Sequence, residues 1–158
     1  HFKGTGVIVR FIEFMDVGTK NGWNLSQVVS TKEILELIRA EFPIEAVEPG
    51  YRGEVATRYR YLDGEGEIGF ISSVSEPFCG DCTRARLSTD GKLVTCLFAA
   101  GGTDLKTPMR AGASDRELAG IIDRVWNNRD DRYSELRSGN TEFKASSEQK
   151  VEMYYIGG

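Results

Sequence analysis

The sequence predicts an α+β fold, and three observations carry that reading. A β-branched, aromatic run is followed by a capped amphipathic helix. Two stretches of alternating polarity fold back about Asp-Gly pairs, and a second capped amphipathic helix comes after them. A length of 158 residues suits one domain or a piece of a larger protein. An apolar share of 40%, to which 18 glycines add, argues against a disordered chain.

Residues 7–15, Val-Ile-Val-Arg-Phe-Ile-Glu-Phe-Met, include only two charges and read as a strand buried on both faces, as in a parallel sheet. A glycine-spaced loop, Gly18 to Gly22, leads to Trp23. Ser30-Thr31-Lys32-Glu33 is a capping box, in which the serine and glutamate side chains satisfy free N–H groups of the first helical turn. Ile34, Leu35, Leu37, Ile38 and Phe42 then recur at helical spacing until Pro43 stops the run. This strand and helix make half of a βαβ unit, with no second parallel strand evident after them. From Glu45 the pattern changes. Residues 54–61 and 67–74 alternate on either side of Asp63-Gly64, and Thr83–Leu87 and Lys92–Leu97 flank Asp90-Gly91, so both pairs are expected to form antiparallel hairpins. Ser114-Asp115-Arg116-Glu117 is a second capping box, with Leu118, Ile121, Ile122, Val125 and Trp126 on one helical face. Arg129 to Arg132 and residues 134–149 read as irregular and solvated, whereas residues 153–158 are more apolar than a frayed tail.

Twenty basic against twenty-four acidic residues give a net charge of −4, which weighs against non-specific nucleic-acid binding. No apolar stretch reaches the roughly 18 residues of a membrane span, and the chain's first residues hold no signal-peptide core, so no membrane contact is expected. Three cysteines leave one thiol over in any disulfide scheme. That fits a cytoplasmic chain whose cysteines do something other than cross-link.

Their spacing is Cys79-Gly80-Asp81-Cys82, thirteen residues, then Cys96. Thiols at i and i+3 on a Gly-containing turn can converge on one metal, and the Asp90-Gly91 hairpin returns Cys96 toward them. Separate buried thiols would be unremarkable small apolar residues. A structural zinc would want a fourth ligand, and the only histidine is His1. A redox Cys-x-x-Cys would not need Cys96. An iron–sulfur cluster fits better, and with three thiolates it would keep one iron open to another ligand. Beside it, Arg84 and Arg86 alternate on one strand face. They read either as guanidinium forks for phosphate oxygens or as a solvated sheet face. A two-residue Asp90-Gly91 turn sets Ala85 opposite Cys96, which points the arginines to the other face unless a bulge or the length of the arginine side chain reconciles them.

Ser73 to Lys92, running on to Cys96-Leu97-Phe98, resembles the C-terminal iron–sulfur motif of the GTP 3′,8-cyclase family of radical S-adenosylmethionine enzymes. Val9 to Met15 resembles that family's last barrel strand, and Ile156-Gly157-Gly158 its double-glycine tail. The resemblance implies a reaction that converts GTP to 3′,8-cyclo-7,8-dihydroGTP in molybdenum cofactor biosynthesis. It also implies an architecture: residues 1–43 as the last strand and helix of an incomplete α/β (TIM-like) barrel, then 44–158 as an antiparallel-sheet [4Fe-4S] and GTP-binding domain with a packed helix. Residue by residue, it implies Cys79, Cys82 and Cys96 as ligands of a three-cysteine [4Fe-4S] cluster with an open iron. Arg10, Arg84 and Arg86 would contact GTP, Met15 would lie by S-adenosylmethionine, and Gly157 and Gly158 would thread into the active site.

No Cys-x-x-x-Cys-x-x-Cys occurs in the chain, so the radical-generating second [4Fe-4S] cluster is not held by it. The expected partners are therefore GTP and an N-terminal barrel half, without which the chain is inactive and, through a bare strand edge at Val7–Met15, self-associates as a homodimer or larger. The alternative is a non-catalytic zinc or iron module that stabilises the fold or docks a partner.

Overall fold

In the computed structural model, which describes residues 1–139 and 150–156, the opening apolar run forms β1 (Val9–Ile12). It pairs in parallel with β4 (Glu67–Ile71), Val9 level with Ile68 and Ile12 with Ile71. The second parallel strand is thus the far arm of the first hairpin, hidden from a reading that looks for it directly after the helix. β2 (Ile44–Val47) and β3 (Thr57–Tyr61) complete a sheet of order β1-β4-β3-β2, with antiparallel pairing on both sides of β3. The hairpin about Asp63-Gly64 joins β3 to β4 as expected.

The strand buried on both faces is β4, not β1. Ile68, Gly69 and Phe70 are buried between two neighbours, whereas β1 sits at the sheet's edge and alternates half-buried Val9 and Phe11 with exposed Arg10 and Ile12. α1 (Thr31–Glu41) starts at the Ser30–Glu33 capping box, with both reciprocal bonds formed, and lays Leu35, Ile34 and Ile38 against Ile68 and Phe70. Phe70 is fully buried, stacked on Phe11 at 5.4 Å and edge-on to Tyr59 at 5.6 Å. Burying one such ring stabilises the fold by about 1.5–3 kcal/mol.

The remaining elements are β5 (Arg86–Leu87), β6 (Lys92–Val94) and β7 (Thr103–Asp104), an antiparallel sheet in that order, then α2 (Lys106–Arg110) and α3 (Asp115–Asn127). α3 starts at its predicted capping box, Ser114 with Glu117. The stretch from residue 134, expected to be irregular, instead contributes to α4 (Tyr133–Gly139), in which Ser134 is buried. By their contacts the described residues form two compact units, one of 1–15, 23–82 and 134–139, the other of 16–22, 83–133 and 150–156. Among the described residues no helix is long and apolar enough to cross a membrane.

One charged side chain organises the first unit. Glu13, just past β1, is buried, and its carboxylate accepts four hydrogen bonds: from the N–H of Thr31 (2.8 Å), the N–H of Val74 (2.8 Å), the N–H of Ser75 (2.8 Å) and the hydroxyl of Ser75 (2.6 Å). Ser72 Oγ donates to Thr31 Oγ1 at 2.7 Å beside it. The end of β1, the first turn of α1 and the chain leaving β4 therefore meet on one carboxylate. Burial pushes the Glu13 pKa up, but these donors, the Ser75 hydroxyl foremost, together outweigh it and hold it below the ordinary 4.5.

A folded-state pKa below the unfolded value adds stability that is present above about pH 4.5 and lost as pH falls through the lower folded value. Glu13→Gln presents an amide N–H₂ to groups that are themselves donors. The variant is expected to lose about 2–4 kcal/mol in urea unfolding at pH 7 and to show a flatter acid limb than the wild-type chain between about pH 5 and 3.

Candidate functional site

In the first unit, β4 runs out through buried Ser72, Ser73 and Val74 to a single 3-10 turn, Cys79–Asp81. The Cys82 N–H donates to the Cys79 carbonyl at 3.2 Å, so the two thiols sit one turn apart. Both are half-buried and outside any disulfide. Glu135 on α4 accepts from the Gly80 N–H at 3.0 Å, and Arg137 donates to the Ser73 carbonyl at 2.7 Å, so α4 holds this turn and the strand that leads to it. Arg52 pairs with Asp81 at 2.9 Å, but both side chains are exposed and the pair adds little. Arg10 is exposed on β1 opposite Gly69, and a Cβ on Gly69 would lie 3.3 Å from Arg10 Cγ. A glycine there gives the arginine stem a bed on which to lie. Met15 is half-buried on the loop after β1.

In the second unit the Asp90-Gly91 hairpin forms with a register one residue away from the expected one. Arg86 is level with Val94 and Leu87 with Leu93. Ser88 and Lys92 close the loop, Ser88 N–H to Lys92 C=O at 2.9 Å, leaving Thr89, Asp90 and Gly91 as a three-residue turn. Gly91 adopts φ +83°, the left-handed position that ends a type I turn in a glycine bulge. Arg86 thus faces Val94 where the expected register sets it opposite Thr95, and the pairing ends at that rung. The bulge supplies the extra residue that puts Arg86 on the face of Val94. Burial agrees: Arg84 and Arg86 are half-buried, while Thr83, Ala85 and Leu87 are exposed. The Phe98 N–H approaches Cys96 Sγ at 3.4 Å.

The C-terminal residues strap this unit. Lys150 is buried, and its ammonium donates to Asp16 O (2.9 Å), Asp16 Oδ2 (3.0 Å) and the Tyr133 hydroxyl (2.6 Å), which itself donates to Asp16 Oδ2 at 2.6 Å. The ammonium also lies 4.5 Å from the centroid of the Tyr133 ring, which stacks on Phe98. Glu152 accepts from the Thr19 hydroxyl (2.7 Å) and N–H (2.9 Å), which hold its pKa low. Asp90 is held well below the usual carboxylate range by the Ser88 hydroxyl first, then Tyr155 and Lys92.

Cys79, Cys82, Arg10 and Met15 thus belong to the first unit, Cys96, Arg84 and Arg86 to the second, and Gly157 and Gly158 lie outside the described residues. Among the described residues no three Cys, His, Asp or Glu side chains are grouped as a metal site. The donor set nevertheless suits an iron–sulfur cluster: three soft thiols, two on one turn and one with a backbone N–H aimed at its sulfur. Glu13, Glu135, Arg129 and the Lys150–Asp16–Tyr133 group were not singled out from the sequence. Only Glu13 left a trace there, as a lone acid in an apolar run.

Residues 7–135 match the family model described as Molybdenum Cofactor Synthesis C. The chain belongs to that family. It is 52% identical over 159 residues to the GTP 3′,8-cyclase of Staphylococcus carnosus, 50% over 158 to that of Xanthomonas axonopodis pv. citri and 49% over 158 to that of Xanthomonas campestris. Each comparison covers the whole chain but only 45–46% of the relative, its C-terminal part. The family member thus spans a little under half the length of the relatives it matches.

Removing the Lys150 ammonium takes the ion-pair cation away from the buried Asp16 carboxylate. Lys150→Met is expected to destabilise the chain by roughly 3–5 kcal/mol, read as a lower urea midpoint with an unchanged slope.

Proposed function

We propose that the chain is the substrate-side part of a radical S-adenosylmethionine GTP 3′,8-cyclase. In this reading Cys79, Cys82 and Cys96 hold a [4Fe-4S] cluster, and Arg10, Arg84 and Arg86 bind GTP. The observation behind it is identity near 50% along the whole chain to proteins named GTP 3′,8-cyclase, with the three thiols and paired arginines in place. When bound, a cluster with three thiolate ligands supplies an iron that can accept a ligand from substrate. The chain's own residues bind and orient. Arg84 and Arg86, two residues apart on the face of Val94, present planar donors to phosphate oxygens, and their half-burial lowers the screening of that contact. Arg10, braced along Gly69, adds a third guanidinium. Met15 borders the S-adenosylmethionine site, and Gly157-Gly158 extends the strapped segment 150–156 without side chains to obstruct a ligand.

The reading also assigns the chain's partner. β1 and α1 are the last strand and helix of an incomplete barrel whose remainder, with the radical-generating cluster, comes from an N-terminal half. β1 pairs with β4 on one side, and around it Val7, Ile8, Ile12 and Phe14 are exposed. Those apolar side chains suit a packed neighbour; without it the chain self-associates and does not turn over. The setting is the cytoplasm, where thiols stay reduced.

Anaerobic reconstitution with ferrous iron and sulfide should give a brown protein with about four irons and four sulfides per chain. Cys96→Ala should lose most of both. A colourless wild-type chain holding one zinc and no sulfide would instead establish a structural metal module.

A second test separates a phosphate clamp from a solvated sheet face. With the chain joined to its N-terminal half, Arg84→Ala or Arg86→Ala should each weaken GTP binding about ten- to a hundredfold, the worth of one charge-assisted contact. Lysine should restore only part of it. Cluster content should stay unchanged, and wild-type GTP affinity in both variants would leave these arginines as surface charges.

A further inference from the structure

The arms of the second hairpin stop pairing where the proposed ligands begin. β5 and β6 end at Arg86 and Val94, and Arg84, Thr95 and Cys96 lie beyond. One side chain joins the two arms there. Arg129, two residues past the end of α3, donates from Nη1 to the Arg84 carbonyl at 3.1 Å and from Nη2 to the Thr95 carbonyl at 2.7 Å. Its Nε donates to Asp131 at 2.8 Å, and its guanidinium lies 5.1 Å from the centre of the Trp126 ring. The side chain is only 11% exposed, so Arg129 in the stretch expected to be solvated is docked against the hairpin, while Asp130 and Arg132 are exposed. Each bonded carbonyl adjoins a residue of interest: Arg84 itself on one arm, and Thr95, next to Cys96, on the other.

We propose that Arg129 is a positioning residue, a clamp across the hairpin root that sets the nucleotide-facing Arg84 and the cluster ligand Cys96 relative to each other. The inference rests on the cluster and GTP reading above for its functional meaning. The clamp requires arginine. A guanidinium offers parallel donors in a fixed plane and spans two carbonyls while its third edge meets Asp131, whereas a lysine ammonium at the end of a flexible stem cannot hold that spacing. Asp131 offsets the charge that burial would otherwise penalise.

The test measures the reactivity of each thiol in the 158-residue chain, by iodoacetamide labelling and mass spectrometry before reconstitution, in wild type and Arg129→Lys. The lysine keeps the positive charge, so a change in Cys96 reports position and exposure rather than a lost cation. Cys96 should label several-fold faster in the variant, while Cys79 and Cys82 keep their wild-type rates. Iron and sulfide taken up on reconstitution should fall in parallel. Arg129→Gln, which loses the charge as well, should retain less iron than Arg129→Lys. Acceleration of all three thiols together would mean general loosening and overturn the proposal. Unchanged Cys96 labelling would overturn it too, as would faster labelling with undiminished iron uptake. If the wild-type chain takes up no iron and sulfide, the cluster reading fails by itself, and the selectivity for Cys96 still decides whether Arg129 clamps the root.

Discussion

The Glu13 carboxylate is the constraint on which the first unit depends. A parallel strand pair cannot be closed by a tight turn, so β1 and β4 need something other than a hairpin to fix their ends together. Glu13 does this by accepting from α1's first turn and from the chain just beyond β4. Those donors are N–H groups that no ladder satisfies, at a helix start and a strand exit, and leaving them unpaired in the interior would cost more than the buried charge does. The consequence reaches the candidate site, because the segment fixed at Val74 and Ser75 leads within a few residues to the Cys79 turn.

A second constraint is a single residue in a turn. An Asp-Gly pair is compatible with a two-residue loop, but Ser88 bonds to Lys92 and makes the loop three residues long. Because side chains alternate with period two, that one residue decides that Arg86 shares a face with buried Val94. Gly91 is what permits the longer loop: its φ is +83°, and a Cβ there would stand 2.7 Å from that of Lys106. The face that carries Arg86 is thus selected by backbone conformation at a glycine five residues away.

Local signals were legible and non-local ones were not. Both capping boxes act at Ser30 and Ser114 as their spacing indicates, and both hairpins form, because each depends on residues a few positions apart. The parallel pairing of β1 with β4 joins residues about sixty apart and leaves no local trace. A continuous apolar run suggested burial on both faces for β1, yet an edge strand can be equally apolar where a further partner is to cover it. The cysteine and arginine motifs stood out by composition and spacing. Their supports did not, since Arg129 and Lys150 look like solvated charges until the carbonyls and carboxylate they meet are known.

Those supports share a physical logic. Glu13, Glu135, Arg129 and Lys150 each bond backbone outside regular structure: a helix start and strand exit, the Cys79 turn, the hairpin root, and the loop at Asp16. Regular strands satisfy their own N–H and C=O groups, but turns, loops and strand ends cannot. A charged side chain can serve several such groups at once, at the cost of burying an ion, and the cost is met at Glu13, Arg129 and Lys150 by giving each ion several partners. Arg129 takes two carbonyls and Asp131, and Lys150 takes a carbonyl, a carboxylate and a hydroxyl. Substituting any of them by an apolar residue of similar size would therefore leave backbone groups unsatisfied in the segment that it holds.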